Sequence, residues 1–302
     1  MKEENIIIKE KTTEIIGPWK MIWLRFKKKK TAVVGLIIFI LLVLSSALAP
    51  FLTPYTLEMM DKTARNAPPS WQHWLGTDNL GRDYLTRMLY GGRISLKVGL
   101  FAVVISVLLG IIVGGIAGYY GGWIDNLMMR FTEIIMSFPF LPLAITVSAV
   151  VGGRVPGEYK MYITMAIIGL LGWPGLARII RGQILTLREQ EFMLATTALG
   201  LSDRRKIFKH LIPNTLGYVI VNATLGMASA ILSESALSFL GLGVVPPTPT
   251  WGNLVLNARD GHILKTRPWL WIPPGVAIFL AVMSINLIGD GLRDAVDPKS
   301  HR

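Results

Sequence analysis

The stretch "VGLFAVVISVLLGIIVGGIAGYYGGW", Val98 to Trp123, holds no charged residue. A helix rises ~1.5 Å per residue, so about 20 apolar residues cross a bilayer core of roughly 30 Å. Val98–Trp123 meets that length. Within it Gly110, Gly114, Gly118 and Gly122 recur every four residues and fall on one helix face. Small residues at that spacing let two backbones approach closely in lipid, so a tight helix–helix seam is expected.

Five other runs share this character: Thr31–Leu52, Ile134–Gly152, Met161–Ile180, about Thr215 to Leu237, and Pro268–Gly289. The expected fold class is all-α: a polytopic membrane protein with six transmembrane helices. Pro139, Pro142 and Pro174 each remove a backbone donor and can kink their spans. Arg178 and Arg181 end the fourth span, where long side chains can snorkel. "ALA" at Ala47–Ala49 resembles a cleavage site, but the apolar run before it is too long for a signal peptide and Pro50 follows at once. The first span is read as an uncleaved anchor.

Composition agrees. The chain has 302 residues, 52% hydrophobic and 17% charged, against about a quarter charged in a soluble domain. Its mean hydropathy is +0.49. The net charge of +12 sits in short islands between neutral runs, as Lys and Arg do when they hold membrane-protein ends against anionic headgroups. Nucleic acid is not the expected partner. Without cysteine there is no disulfide, thiolate metal site or cysteine nucleophile.

The basic block "RFKKKK", Arg25–Lys30, places the N-terminus in the cytoplasm. Six spans return the C-terminus to the same side. The expected organisation is a cytoplasmic segment 1–30, an anchor helix 31–53, an extracytoplasmic connection 54–90, a five-helix membrane domain 91–290 and a cytoplasmic tail 291–302. The other outer connections are 153–160 and 238–267. Arg130 and Glu133, three residues apart, are expected to pair. Glu234 falls near the outer end of the fifth span and is read as a packing residue.

One polar segment interrupts the pattern: "EFMLATTALGLSDRRKIFKHLIPN", Glu191–Asn214. A first helix is expected to continue from the fourth span through Leu194, Ala195 and Thr196 and to close at Gly200, where glycine takes a left-handed turn. Ser202 is the expected N-cap of a second helix, with Asp203 in its first turn. Ile207, Phe208, Leu211 and Ile212 share one helical face, Arg204, Arg205 and Lys209 lie off it, and Pro213 marks its end or a bend. About 25 residues tethered at both ends cannot form an independent DNA-binding domain. A docking knob for a partner and a partnerless membrane-surface helix both fit these residues.

The spacing resembles the E-A-A-x3-G-x9-I-x-L-P signature of bacterial ABC importer permeases. Ala195, Gly200 and Pro213 match; Leu194 replaces the acid, Thr196 the second alanine, His210 the isoleucine and Ile212 the leucine. "LGTDNLGRDYLTRMLYGGRISLKVG", "GYYGGWIDNLMMRFTEIIMSFP", "ALSFLGLGVVPPTPTWGNLV" and "NLIGDGLRDAVDP" closely resemble the C-type permease subunits (DppC/OppC type) of dipeptide and oligopeptide importers, from about Lys30 to Pro298. Nickel and glutathione importers have similar subunits.

The resemblance implies a type I ABC importer permease fold in the cytoplasmic membrane. It implies a homologous B-type permease partner, two cytoplasmic ATPases and an extracytoplasmic peptide-binding protein. It makes residues from about 189 to 213 an ATPase-coupling segment, in which Glu191, Leu194, Ala195, Thr196, Gly200, Ser202, Asp203, Arg204, Arg205 and Pro213 are the candidates. ATP and Mg would belong to the ATPases, since this chain holds no G-x4-G-K-[ST] loop and needs no cofactor of its own. A secondary transporter would need ionisable residues in the spans for ion coupling, and an intramembrane enzyme a nucleophile–base pair or metal ligands there. All four histidines lie outside the spans. Ser137, Thr146, Ser148, Asn222, Thr224 and Ser229 are candidate lumen residues.

Overall fold

A computed structural model describes residues 17–297. The first 16 residues, the last five and with them His301 lie outside the described part. The described residues are mostly helical, with one isolated bridge, Thr77 to Asp83, and no strand.

The order is α1 (Pro18–Lys28), α2 (Lys30–Ala47), α3 (Tyr84–Tyr120), α4 (Gly122–Ser137), α5 (Phe140–Gly152), α6 (Lys160–Gly172), α7 (Pro174–Leu187) and α8 (Glu191–Ala198). Then come α9 (Asp203–Phe239), α10 (Trp251–Val255), α11 (Gly261–Thr266) and α12 (Ile272–Val296). Helices α2, α3, α9 and α12 are each long and apolar enough to span a membrane; α4 with α5 and α6 with α7 make up to two more. Six spans therefore hold if each bent pair counts as one.

The bends fall at prolines. The axes of α4 and α5 differ by 85° across Phe138–Pro139, and those of α6 and α7 by 41° at Pro174. Pro142 does not kink its helix. It sits in the first turn of α5, where no intrahelical donor is needed.

The glycine seam is real but shorter than the spacing implied. On α3 a Cβ at Gly114 would lie 2.4 Å from the Ala177 carbonyl oxygen of α7, and one at Gly118 2.9 Å from that of Arg181. Gly110 meets the Leu176 side chain. Gly122 is not part of it: α3 stops at Tyr120, Gly121 turns the chain with φ +66°, and Gly122 opens α4 with no neighbour within 4 Å of a Cβ. Arg181 does not snorkel either. Its guanidinium forms a bidentate pair with Asp125 of α4.

First and last spans are neighbours. Lys29 bonds the Asp294 carboxylate, and Gly291 of α12 admits Ala32 and Phe26. The bundle thus has a basic end, holding Arg25–Lys30, Tyr119, α8 and the start of α9, and a far end. The far end is closed by residues 53–83 and 240–271. Helix α3 begins at Tyr84, inside the stretch expected as connection 54–90, because Asp83 caps it: its Oδ2 accepts from the Thr86 amide at 2.8 Å and hydroxyl at 2.7 Å. Asp83 Oδ1 meets His73 Nδ1 at 2.9 Å, and Tyr55 stacks on that imidazole. Glu234 is fully buried there. Ser238 and Ser95 donate hydroxyls to it at 2.7 and 3.2 Å, and Ser95 Oγ accepts from the Trp251 amide. Its carboxyl ties α3, α9 and α10 together, the packing role its position indicated.

Candidate functional site

Two features stand out: a polar foot at the basic end and a groove within the bundle.

The foot is more broken than its sequence indicates. The chain does not run as one helix from α7 into α8; α7 ends at Leu187 and α8 starts afresh at Glu191. Arg188 fills the break, its Nη1 donating to the Gly118 and Tyr119 carbonyls at 3.3 and 3.4 Å. The close at Gly200 is as expected. Gly200 has φ +68°, the Leu201 amide donates to Thr196 O at 3.1 Å and the Gly200 amide to Thr197 O at 3.0 Å. These two bonds make a Schellman close.

Ser202 occupies the N-cap position with extended backbone, but its side chain makes no capping bond; its carbonyl accepts from the Lys206 amide. Asp203 instead reaches sideways, accepting from the Tyr119 hydroxyl of α3 at 2.6 Å. Pro213 does not end a second helix. The helix from Asp203 runs on to Phe239 through a π turn, Lys206–Leu211. Proline leaves the Lys209 carbonyl without its donor and needs room beside it. The wide π turn supplies that room.

The π turn also re-sorts the expected apolar face. Ile207 and Leu211 are buried, whereas Phe208 is 61% exposed. Leu194 is 64% and Leu199 78% exposed. Met193 and Thr196 point inward, and the Thr196 hydroxyl donates to Met193 O at 2.7 Å. Glu191, Ala195, Gly200, Ser202, Asp203, Arg204, Arg205 and Pro213 are all exposed. The foot therefore displays large apolar side chains and two arginines outward while Met193, Leu211 and the Asp203–Tyr119 bond fasten it to the spans. Tyr119, Arg188, Leu199 and Phe208 were not among the sequence candidates. Tyr119 and Arg188 meet partners distant in sequence, the face of Phe208 depends on a π turn, and Leu199 ends exposed at the turn before Gly200.

The groove, about 400 Å³, lies among α3, α5, α6, α7 and α9. No charged residue lines it. Asn222, Gly226, Ser229 and Ser233 follow one another along a single face of α9 and border it with Ser106 of α3. Their donors are largely spent within the helix: Asn222 Nδ2 donates to Tyr218 O at 2.8 Å and Ser233 Oγ to Ser229 O at 2.8 Å. Of the six lumen candidates only Asn222 and Ser229 border it. Thr224 faces the α9–α12 seam near Gly289, and Ser148 is buried with its hydroxyl unpartnered. Among the described residues no three His, Asp or Glu side chains form a metal-ligating group.

Residues 106–302 match the family model described as binding-protein-dependent transport system inner membrane component. The chain belongs to this family. Residues 17–69 of the permease also match the N-terminal transmembrane domain of oligopeptide transport permease C. It is 43% identical over 284 residues to the dipeptide transport system permease protein DppC of Alkalihalophilus pseudofirmus, covering 94% of this chain and 91% of that protein. It is 41% identical over 282 residues to the oligopeptide transport system permease protein OppC of Bacillus subtilis, covering 93% and 90%. It is 40% identical over 290 residues to the glutathione transport system permease protein GsiD of Escherichia coli, covering 96% and 93%. The permease is thus of a transport class in which the membrane subunit is not the catalytic one.

Proposed function

We propose that this permease is a pore-forming subunit of an ATP-driven importer that takes up dipeptides or oligopeptides across the cytoplasmic membrane. The observation that carries the mechanism is the foot: Leu194, Leu199 and Phe208 are exposed on a segment fixed to α3 and continuous with α9. A partner that grips this knob moves α9, and α9 lines the groove. The foot is the coupling element, seated on one of two cytoplasmic ATPases that bind ATP and Mg. Exposed Leu194, where the family signature has an acid, makes that contact apolar. The permease pairs with a B-type permease, and a peptide-binding protein docks on the far end. Both termini are cytoplasmic, on the side of Arg25–Lys30. The uncharged groove, with most of its donors satisfied, suits a passage that transmits peptide backbones without holding them.

Peptide uptake by cells in which the chromosomal copy carries Leu199→Asp and Phe208→Asp tests this. Uptake should fall at least tenfold, with the ATPases lost from the purified complex; unchanged uptake and unchanged ATPase recovery would refute the coupling role. A glutathione cargo is the second reading, carried by the glutathione permease relative. Competition of labelled dipeptide uptake by glutathione separates the two.

A further inference from the structure

At the basic end, α1 lies against α12 and encloses a small apolar pocket with it and α9. The pocket, about 180 Å³, is lined by Trp19, Trp23 and Phe26 of α1, Ile220 of α9, and Leu292 and Val296 of α12. Phe26 is buried and fixes α1 in place through Gly291 and Ala32. Trp19, Met21, Trp23 and Leu24 remain at least 40% exposed. Lys27 Nζ sits 4.9 Å over the Trp23 ring, and Lys28 and Lys30, which follow it in the chain, are exposed. No acidic residue occurs between Pro18 and Ala47. The acids nearby, Asp290, Asp294 and Asp297, lie on or just after α12, and Lys29 bonds the Asp294 carboxylate.

We infer that this is a binding site for an anionic phospholipid: one acyl chain enters the tryptophan pocket and the headgroup phosphate meets Lys27, Lys28 and Lys30. Three properties select this occupant. The pocket is apolar and opens beside two membrane spans. Tryptophan with exposed indole belongs at the headgroup level of a bilayer. Clustered lysines next to a span attract negative lipid surfaces, and each strengthens binding about fivefold. An uncharged lipid would leave the lysines without a partner ion, and a protein strand would leave the pocket's bilayer side open. Ile220 lies between two and three turns beyond the π turn of the foot, so a lipid held here touches the helix that carries motion from foot to groove. The inference does not depend on which cargo is carried.

The test uses the complete transporter in nanodiscs of zwitterionic phosphatidylcholine, titrated with brominated phosphatidylglycerol or with brominated phosphatidylcholine. Bromine quenches nearby indoles, and subtraction of the W19F/W23F variant isolates the two tryptophans. Quenching should saturate at a mole fraction at least tenfold lower for phosphatidylglycerol. The K27Q/K28Q/K30Q variant should lose that preference, about fivefold per lysine, while still responding to phosphatidylcholine. Equal titrations by the two lipids in the unmodified transporter would overturn the inference. So would quenching by neither, which would mean that protein covers this face.

Discussion

Gly81 and Gly200 have nearly the same backbone, φ +79° and +68°, at opposite ends of the bundle. A Cβ at Gly81 would lie 1.9 Å from the Asp61 carbonyl oxygen; one at Gly200 meets nothing within 4 Å. The contrast holds for the regions around them. The far end is closed by inward-facing polar side chains: His73 on Asp83, Ser95 and Ser238 on Glu234, Asn253 on the Val244 and Thr248 carbonyls. The foot at the basic end keeps few inward bonds and turns Leu194, Leu199 and Phe208 out. One end is built to hold its own shape. Both ends expose large apolar side chains, Trp71 and Trp74 among them at the far end, so what sets the far end apart is its buried polar network.

Ranked by effect on stability, four substitutions test this contrast. Gly81→Ala should be the most damaging, by about 4 kcal/mol or more, because both the positive φ and the Asp61 backbone oppose a side chain. A thermal midpoint close to that of the parent would show that the cap yields, and would erase the distinction between the ends. Asp83→Ala should come next. It strips the α3 cap and leaves buried His73 and Thr86 without their acceptor, for about 3 kcal/mol. Asp83→Asn should recover part of that loss in the same melting experiment, since the amide oxygen still accepts from Thr86.

Gly200→Ala should cost only about 1 kcal/mol, the left-handed penalty without a clash. Gly200→Asn should cost less, as asparagine tolerates that region. A loss as large as that at Gly81 would mean that the foot is packed by contacts other than those described. Phe208→Ala should change the melting temperature of the isolated permease least, within about 0.5 kcal/mol, because the ring is exposed. Retention of the ATPases should nevertheless fall roughly tenfold, about 1.4 kcal/mol, for a lost apolar anchor at an interface. Equal effects on stability and on ATPase retention would place Phe208 inside the fold rather than on a docking face.

Much of this molecule is legible in the chain. The uncharged run Val98–Trp123 is membrane sequence in any context, and glycine every fourth residue brings α3 against another helix whatever that helix is. Gly200 closes α8 because the turn is local: its two bonds reach only Thr196 and Thr197. Where expectation and structure part, the deciding partner is remote or the helical period changes. Along the chain nothing near Arg181 offers it a partner, because Asp125 is 56 residues away. A regular α period puts Phe208 with Ile207 and Leu211, and the π turn before Pro213 separates them. Local sequence makes Asp203 a first-turn charge, and only the fold brings Tyr119 to it.

By itself the sequence determined that the protein is a helical membrane protein, that its polar segment Glu191–Asn214 breaks at Gly200, and which permease family it resembles. Length, hydropathy and local turn chemistry are properties of neighbouring residues, so they can be read along the chain. Tertiary structure decided that α2 lies beside α12, that Glu234 pins three elements from inside, that α9 runs unbroken from foot to groove, and that α1 encloses a pocket with α9 and α12. Those are choices among many apolar surfaces of nearly equal hydropathy. In lipid no hydrophobic force ranks them, and close packing with a few buried polar contacts makes the selection.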